Sequence, residues 1–240
     1  MNKIEELRKI IDNSKHLVFF GGAGVSTASN IPDFRSSTGI FNEKYGSIPI
    51  ERIISHSFFM SHPDIFYSVY KEKLCFKDAM PNDCHKALKK LEDLGILKAI
   101  ITQNIDDLHQ KAGSKKVLEL HGSTFRNYCM HCHKFYSLDD LMKFDSIPKC
   151  SCGGIIKPDV VLYEEPLDNT TVSEAVKEIS MADTLIIGGT SLVVYPAAYY
   201  IEFFRGKNLV IINKSETPKD YIATLLIHDD IAKVFRELGY

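Results

Sequence analysis

The stretch Leu17-Val18-Phe19-Phe20-Gly21-Gly22-Ala23-Gly24-Val25-Ser26-Thr27 runs four apolar residues straight into a glycine-rich turn. A short apolar run bounded by glycine reads as a buried parallel strand, and a bare turn after it lets backbone approach a diphosphate at the start of the next helix. The turn departs from the dehydrogenase pattern G-x-G-x-x-G, because with Gly22 and Gly24 as the first two glycines Thr27 takes the third place. No strand end with an acidic ribose ligand is evident about twenty residues further on. A strand-to-helix turn without any ligand is the competing reading of this segment.

Working outward, five more runs have the same character: Lys98–Thr102, Val117–Leu120, Asp159–Tyr163, Thr184–Gly188 and Leu209–Ile212. Apolar residues recur at helical spacing in Met1–Asn13, Cys84–Leu94, Val172–Met181, Ala197–Phe204 and Ile231–Leu238. Strands alternating with helices predict an α/β fold, a doubly wound parallel sheet. Ligands of such sheets bind beyond the carboxyl ends of the strands. The segments that follow the strands should therefore meet in one crevice: Gly21–Gly24, Gln103–Asp106, His121-Gly122, Glu164-Glu165, Gly189–Ser191 and Asn213-Lys214. Polar turn residues with purely local duties remain the alternative for any one of them.

Two connections exceed a simple crossover. Ser36 to Asp78 carries Phe58, Phe59, Phe66, Tyr67, Tyr70 and Phe76, enough for a small helical module. Arg126 to Lys157 holds four of the six cysteines. The expected organisation is a large nucleotide-binding domain from residues 1–36, 78–125 and 158–240, and a smaller inserted domain from a helical module (37–77) and a zinc-binding module (126–157).

The 240 residues suffice for this core, with 45% hydrophobic and 25% charged residues, as in ordinary globular chains. A formal charge of -2 gives no global basic excess for nucleic acid. No signal peptide and no run near the roughly eighteen apolar residues of a membrane span is found, so the expectation is a cytoplasmic protein that binds neither membrane nor nucleic acid and acts as a monomer. Under reducing conditions paired cysteines point to metal more than to disulfides.

Cys129-x-x-Cys132 and, after seventeen intervening residues, Cys150-x-Cys152 followed by Gly153-Gly154 can close a four-thiolate zinc shell of the structural kind. The second pair is one residue tighter than usual, and His131 and His133 stand nearby as substitutes; a redox pair or unliganded thiols are the alternatives. Cys75 and Cys84 read as ordinary buried residues. His121 ends a strand before Gly122, where a ring nitrogen can face the crevice and act as a base near neutral pH, although it is one of nine histidines. Ile31-Pro32-Asp33-Phe34-Arg35 offers a carboxylate, an aromatic face and a cation, which suits either a cationic ring with its diphosphate or a plain turn.

Taken in order, Gly22–Ser26, Ile31–Arg35, Thr102–Asp106, His121-Gly122, the paired cysteines, Lys157–Val161 and Gly189–Leu192 closely resemble the sirtuin family over almost the whole chain. The resemblance implies a Rossmann-like large domain, NAD as co-substrate, one structural zinc, and removal of acetyl groups from protein lysines with release of nicotinamide and O-acetyl-ADP-ribose. It implies NAD contacts from Gly22, Ala23, Gly24, Ser26, Thr27, Phe34 and Arg35, with Phe34 shielding the reacting ribose carbon. Gln103, Asn104, Ile105 and Asp106 then line the ribose and nicotinamide pocket with Asp33. Gly189, Thr190 and Ser191 hold the diphosphate or adenosine ribose, Asn213 and Lys214 the adenosine end, and Asp230 and Ile231 the adenine.

By the same resemblance His121 is the catalytic base, taking a proton from a ribose hydroxyl after the acyl-lysine carbonyl oxygen has attacked the anomeric carbon, with Asn104 and Asp106 also catalytic. Val160, Val161 and Tyr163 receive the acyl-lysine and pair with substrate backbone. Relatives that prefer succinyl or malonyl groups carry Tyr-x-x-Arg; Tyr67-Ser68-Val69-Tyr70 lacks the guanidinium, which favours acetyl or longer neutral acyl groups. Asn30 stands where the family commonly has glycine. An ADP-ribosyltransferase sharing the pocket, a dehydrogenase, and a non-enzymatic NAD-responsive binding module are the rival readings.

Overall fold

The computed structural model describes residues 2–240. Met1, included in the expected first helix, lies outside them. In chain order the regular elements are α1 (Lys3–Asp12), β1 (Leu17–Gly21), β2 (Lys44–Tyr45), β3 (Ile48–Pro49), α2 (Ile50–Ile53), α3 (His56–Ser61), α4 (Pro63–Lys73), α5 (Asp83–Asp93), β4 (Leu97–Thr102) and α6 (Leu108–Lys111). They continue with β5 (Val117–Glu119), β6 (Gly122–Cys129), β7 (Phe135–Ser137), α7 (Leu138–Met142), β8 (Ile156–Val160), α8 (Asn169–Met181), β9 (Thr184–Gly188), β10 (Asn208–Ile212), β11 (Leu225–Ile227) and α9 (Ile231–Leu238).

Six strands form one parallel sheet in the order β11-β10-β9-β1-β4-β5. The chain winds outward from β1 in one direction and then from β9 in the other. That is the order of a Rossmann-like sheet, with its switch point between β1 and β9. β1 is buried along its whole length and alternates its side chains between two cores. Leu17 and Phe19 pack with α1, α5 and α9, while Val18 and Phe20 pack with α8 and Ala197–Ile201. Helix starts are set by side-chain caps: Asn2 on α1, Asn82 on α5 and Asp230 on α9 each accept a backbone N–H of the first turn.

The count of six parallel strands matches expectation, but one member differs. Asp159–Tyr163 is not in the parallel sheet; β8 ends at Val160 and runs antiparallel to β6 in a separate three-stranded sheet, β7-β6-β8. Leu162 is nevertheless buried, because the helices of residues 50–73 cover it. The sixth parallel strand is β11, whose three residues are too few to register as a periodic run. Ala197–Phe203 folds as 3-10 helix rather than α-helix. The glycine turn leads into two 3-10 turns, Ala23–Val25 and Thr27–Ser29, instead of a helix N-terminus.

A third core joins the two inserted segments: Ile50, Phe59, Phe66 and Tyr70 from the first, Leu138, Leu141, Cys129 and Cys150 from the second. Strands β6 and β8 cross the expected boundaries at 125/126 and 157/158, so the sheet bearing the cysteine pairs begins directly after His121.

Candidate active site and metal centre

A cavity of about 490 Å³ opens beyond the carboxyl ends of β1, β4, β9 and β10, at the switch point of the sheet. Its floor is two loops laced together. The N–H of Gly22 donates to Gly188 at 3.1 Å and that of Gly24 to Gly189 at 2.8 Å. A Cβ on Gly24 would lie 2.8 Å from the Gly189 Cα, and one on Gly189, which has φ of +59°, would lie 2.4 Å from the Val25 nitrogen. Glycine at both positions is what lets the loops meet.

The cavity wall carries Gly22, Ala23, Gly24 and Thr27 after β1, then Asp33, Phe34 and Arg35, and Gln103, Asn104 and Ile105 after β4. Gly189, Thr190 and Ser191 after β9, Asn213 and Lys214 after β10, and Ile231 complete that side. Gln103 Nε2 donates to Thr190 Oγ1 at 3.1 Å, which ties two of these loops together. Asn30 has φ of +61°, a left-handed conformation that asparagine tolerates and most residues do not. Asparagine thus occupies a left-handed position at the place where the family it resembles commonly has glycine.

Three expected site residues are outside this wall. Ser26 and Asp106 line a neighbouring space of about 30 Å³ with Ile31, Phe34, Asn104 and Ile105. There the Ser26 hydroxyl donates to Asp106 at 2.6 Å and accepts from Asn104 Nδ2 at 3.0 Å. Burial pushes the Asp106 carboxyl above its ordinary pKa, opposed by its hydrogen bonds from Ser26 and the Leu108 N–H. Asp230 caps α9 and pairs with Lys214 at 2.8 Å; its neighbour Asp229 faces the cavity instead.

His121 lines the cavity beside Gln103. Its Nδ1 is 2.9 Å from the carbonyl oxygen of Gln103. A carbonyl only accepts, so Nδ1 carries the proton and Nε2 keeps a lone pair, an assignment made from the partner. Burial lowers the ring's pKa below 6.5, with the Gln103 carbonyl opposing and the charge of Arg35 adding to the effect.

Val160, Val161 and Tyr163 also line the cavity. The Val161 N–H donates to the carbonyl of His121 at 3.0 Å. Tyr163 donates its N–H to Ile54 at 3.1 Å and accepts from the His56 N–H at 3.0 Å, so the helical module already engages both of its main-chain groups. Its hydroxyl accepts from Arg35 Nη2 at 2.9 Å. Tyr67 and Tyr70 are fully buried in the small-domain core, away from the cavity. Sequence reading missed Phe41, Leu162, Tyr195 and Glu216, which also line the cavity. Leu162 lies between the expected Val161 and Tyr163, whereas Phe41, Tyr195 and Glu216 stand in no motif and reach the cavity only through the folding of remote segments.

The four cysteines converge as expected. The sulfurs of Cys129, Cys132, Cys150 and Cys152 all lie within 4.8 Å of one another, with Cys129–Cys152 at 3.4 Å and Cys132–Cys150 at 3.6 Å. A tetrahedron with zinc–sulfur bonds of ~2.3 Å has edges of about 3.8 Å, so the cluster fits a closed structural zinc site. His131 and His133 are not part of the group. The Cys132 and His131 N–H groups point at Cys129 Sγ and lower its thiol pKa. The tight Cys150-x-Cys152 pair is accommodated by Gly153, at φ of +86°, and by the Cys150 N–H donating to Gly154 at 2.8 Å. Cys84 is buried and Cys75 half-buried, apart from the cluster.

Comparison with known proteins gives a consistent result. The Sir2 family model matches residues 22–196. The chain is 60% identical to an NAD-dependent protein deacetylase of Clostridium perfringens over 97% of each chain, and 53% identical to one of Clostridium tetani over the full length of both. A solved Sir2 structure with a deacetylated p53 peptide and 3'-O-acetyl ADP ribose superposes with a TM-score of 0.91 at 41% identity, covering 99% of this chain and 97% of that one. A Sir2 structure with p53 peptide and NAD superposes with a TM-score of 0.88 at 41% identity, covering 99% and 97%.

Proposed function

This chain belongs to the Sir2 family and is an NAD-dependent protein deacetylase, and from that premise we propose how its own residues divide the work. The observation that carries the reading is the single cavity into which the loops after four parallel strands, the His121 ring and the Val160–Tyr163 segment all open. Its volume lies in the range of roughly 300–1,000 Å³ usual for cofactor-sized ligands.

NAD supplies the ribosyl carbon that takes the acyl oxygen as nicotinamide leaves. Gly22, Ala23, Gly24, Thr27, Ser191, Asn213 and Lys214 hold its diphosphate and adenosine end. Phe34 and Ile105 cover the ribose and exclude water, and Asn104 orients it. Ser26 and Asp106 keep Asn104 in place from the neighbouring space, which suits the nicotinamide amide. His121 Nε2 takes the ribose hydroxyl proton. Val160, Val161 and Tyr163 receive an acyl-lysine of a protein. An amide oxygen is a weak nucleophile, so orientation and dryness supply much of the rate.

Tyr67 and Tyr70, the tyrosines nearest in pattern to Tyr-x-x-Arg, are buried in the small-domain core away from the cavity, which supports neutral acyl groups over succinyl. Residues 37–77 and the segment of β6, β7, α7 and β8 serve as the smaller domain around its shared core, with the zinc as its brace. Among the described residues no helix is long and apolar enough to cross a membrane. A zinc-type thiolate cluster supports work in a reducing compartment, the cytoplasm, and action as a monomer without nucleic acid completes the reading.

Incubation with NAD and an acetyl-lysine peptide, followed by mass spectrometry, is the decisive assay. Formation of O-acetyl-ADP-ribose in step with nicotinamide is expected. Nicotinamide release without the peptide would instead favour ADP-ribosyl transfer, and no NAD consumption at all would favour a binding module.

A further inference from the structure

Arg126 stands where the ladder between β6 and β8 is interrupted. Gly122 pairs with Val160 and Ser123 with Asp159, and pairing then resumes at Asn127 with Pro158, so Thr124, Phe125 and Arg126 are extra residues of β6 on its β8 side, while Arg126 pairs with Ser137 of β7 on the other. Such a bulge releases side chains from the ladder and turns them to new partners. Thr124 fastens the bulge to Ile105 through its N–H and its hydroxyl, both at 3.0 Å. Arg126 reaches in two directions. Its Nη2 lies 2.7 Å from Glu119 Oε2 and its Nε lies 2.8 Å from Asp159 Oδ2.

The two carboxylates hold positions of consequence. Glu119 closes β5 two residues before His121, and Asp159 directly precedes Val160 on β8. Between them the chains touch backbone to backbone: Gly122 has φ of +73°, and a Cβ there would lie 2.0 Å from the Asp159 carbonyl oxygen. No side chain can brace that contact from within. Glu119 is also crowded, since its other oxygen accepts from Gln110 Nε2 at 2.7 Å. Burial pushes its carboxyl up to about 7, opposed by Arg126 and reinforced by the carboxylate of Asp107. The charge on Glu119 therefore depends on the guanidinium.

We propose that Arg126 is a positioning residue for deacylation, fixing the His121 end of β5 against the Val160–Tyr163 segment through its paired bonds to Glu119 and Asp159. The proposal rests on His121 being the base and Val160–Tyr163 the acyl-lysine contact. A planar guanidinium serves two carboxylates at set angles, which an ammonium does not. Arg126 and Asp159 are partly exposed, so the clamp acts through geometry more than through stability.

The test is steady-state kinetics of the full chain as purified with its zinc, comparing Arg126→Gln, Arg126→Lys and Asp159→Asn with the unsubstituted protein. Arg126→Gln is expected to raise KM for the acetyl-lysine peptide and lower kcat, each roughly tenfold, with KM for NAD and Tm little changed. Arg126→Lys should recover part of the loss. Asp159→Asn should act in the same direction, and combining it with Arg126→Gln should add less than the two losses together.

Peptide KM and kcat both within about twofold of the unsubstituted protein would overturn the proposal. So would equal losses of NAD binding, peptide binding and Tm, which would make Arg126 a support of the fold alone. If Arg126→Gln does not fold, Asp159→Asn carries the same comparison because it cuts only the more exposed arm. His121→Ala tells the two failures apart: retained turnover there refutes the base, whereas a missing KM and kcat effect at Arg126 refutes only the clamp.

Discussion

The ring of His121 is pinned to the backbone of Gln103, with Nδ1 2.9 Å from that carbonyl oxygen. The bond fixes the tautomer that leaves Nε2 free to accept a proton, and burial keeps the ring neutral by lowering its pKa below 6.5. A base works in its unprotonated form, so activity is lost as pH falls through the lowered pKa. The acid limb of kcat/KM for the acetyl-lysine peptide is therefore expected below pH 6.5, and His121→Ala should cost about 10²–10⁴-fold in kcat. A pH–rate profile of the free enzyme checks the first and single-turnover assays the second.

The metal centre makes a separate prediction. Cys150 is held down to about 5, first by the Cys152 N–H and then by the Tyr136 hydroxyl, and Cys129 is lowered by the Cys132 and His131 N–H groups. Cys129 and Cys150 thus favour the thiolate that binds metal, whereas Cys152, despite the Gly154 N–H that points at it, is pushed up to about 12 by its hydrogen bonds to Cys129 and Cys132, so metal binding has to displace its proton. Metal analysis should return about one zinc per chain. Chelation, or Cys152→Ser, should lower Tm and loosen the small-domain core, because Cys129 and Cys150 are part of it. Far-UV and near-UV circular dichroism on heating will register the loss; a folded protein with unchanged Tm after chelation would contradict a structural role.

The parts legible in the sequence were those with local signals. The β1 run and its glycine turn, the cysteine spacing and the strand-end His121 each carry their evidence within a few residues: β1 is a buried parallel strand, the four sulfurs converge and His121 lines the cavity, although the turn leads into 3-10 turns and not a helix N-terminus. What escaped depends on tertiary contact. Val160-Val161-Leu162 has the apolar character of a central parallel strand, yet its burial comes from β6 on one side and residues 54–56 on the other. Leu225–Ile227 is a true parallel strand too short to declare itself. Asp230 and Asp229 look interchangeable in sequence; the helix cap and the pairing with Lys214 claim Asp230 and leave Asp229 to the cavity. No spacing rule foretells that Arg126 would bridge Glu119 and Asp159.

Buried histidines couple stability to acid. His85 on α5 and His109 on α6 lie with ring centroids 4.7 Å apart, and His109 has neither ring nitrogen hydrogen-bonded. Burial lowers His85 to about 4 and His109 well below 6.5, the neighbouring His85 adding to the latter. The unfolded chain takes up protons at these rings below about pH 6.5, while the folded chain does not until lower pH, so stability falls as pH drops. For His85 the loss between pH 7 and pH 5 is about 2 kcal/mol. Urea unfolding at the two pH values measures it, and His85→Gln should flatten the dependence.

The last prediction concerns Gly189, where shape and chemistry meet. Its φ of +59° disfavours any side chain, and a Cβ would press on the Val25 nitrogen at 2.4 Å and on the Gly24 carbonyl carbon at 2.6 Å. Gly189→Ala must therefore push apart the loops after β1 and β9, the floor of the cavity beneath the expected diphosphate. Gly95 provides the control, since its φ of +72° imposes comparable backbone strain but its Cβ would meet nothing within 4 Å. Gly95→Ala should cost about 1–2 kcal/mol of stability and leave KM for NAD unchanged. Gly189→Ala should cost more than that and also raise KM for NAD by roughly tenfold or more, with a smaller effect on KM for the acetyl-lysine peptide. Equal NAD kinetics in the two variants would mean that the contact between the loops serves folding and not the nucleotide.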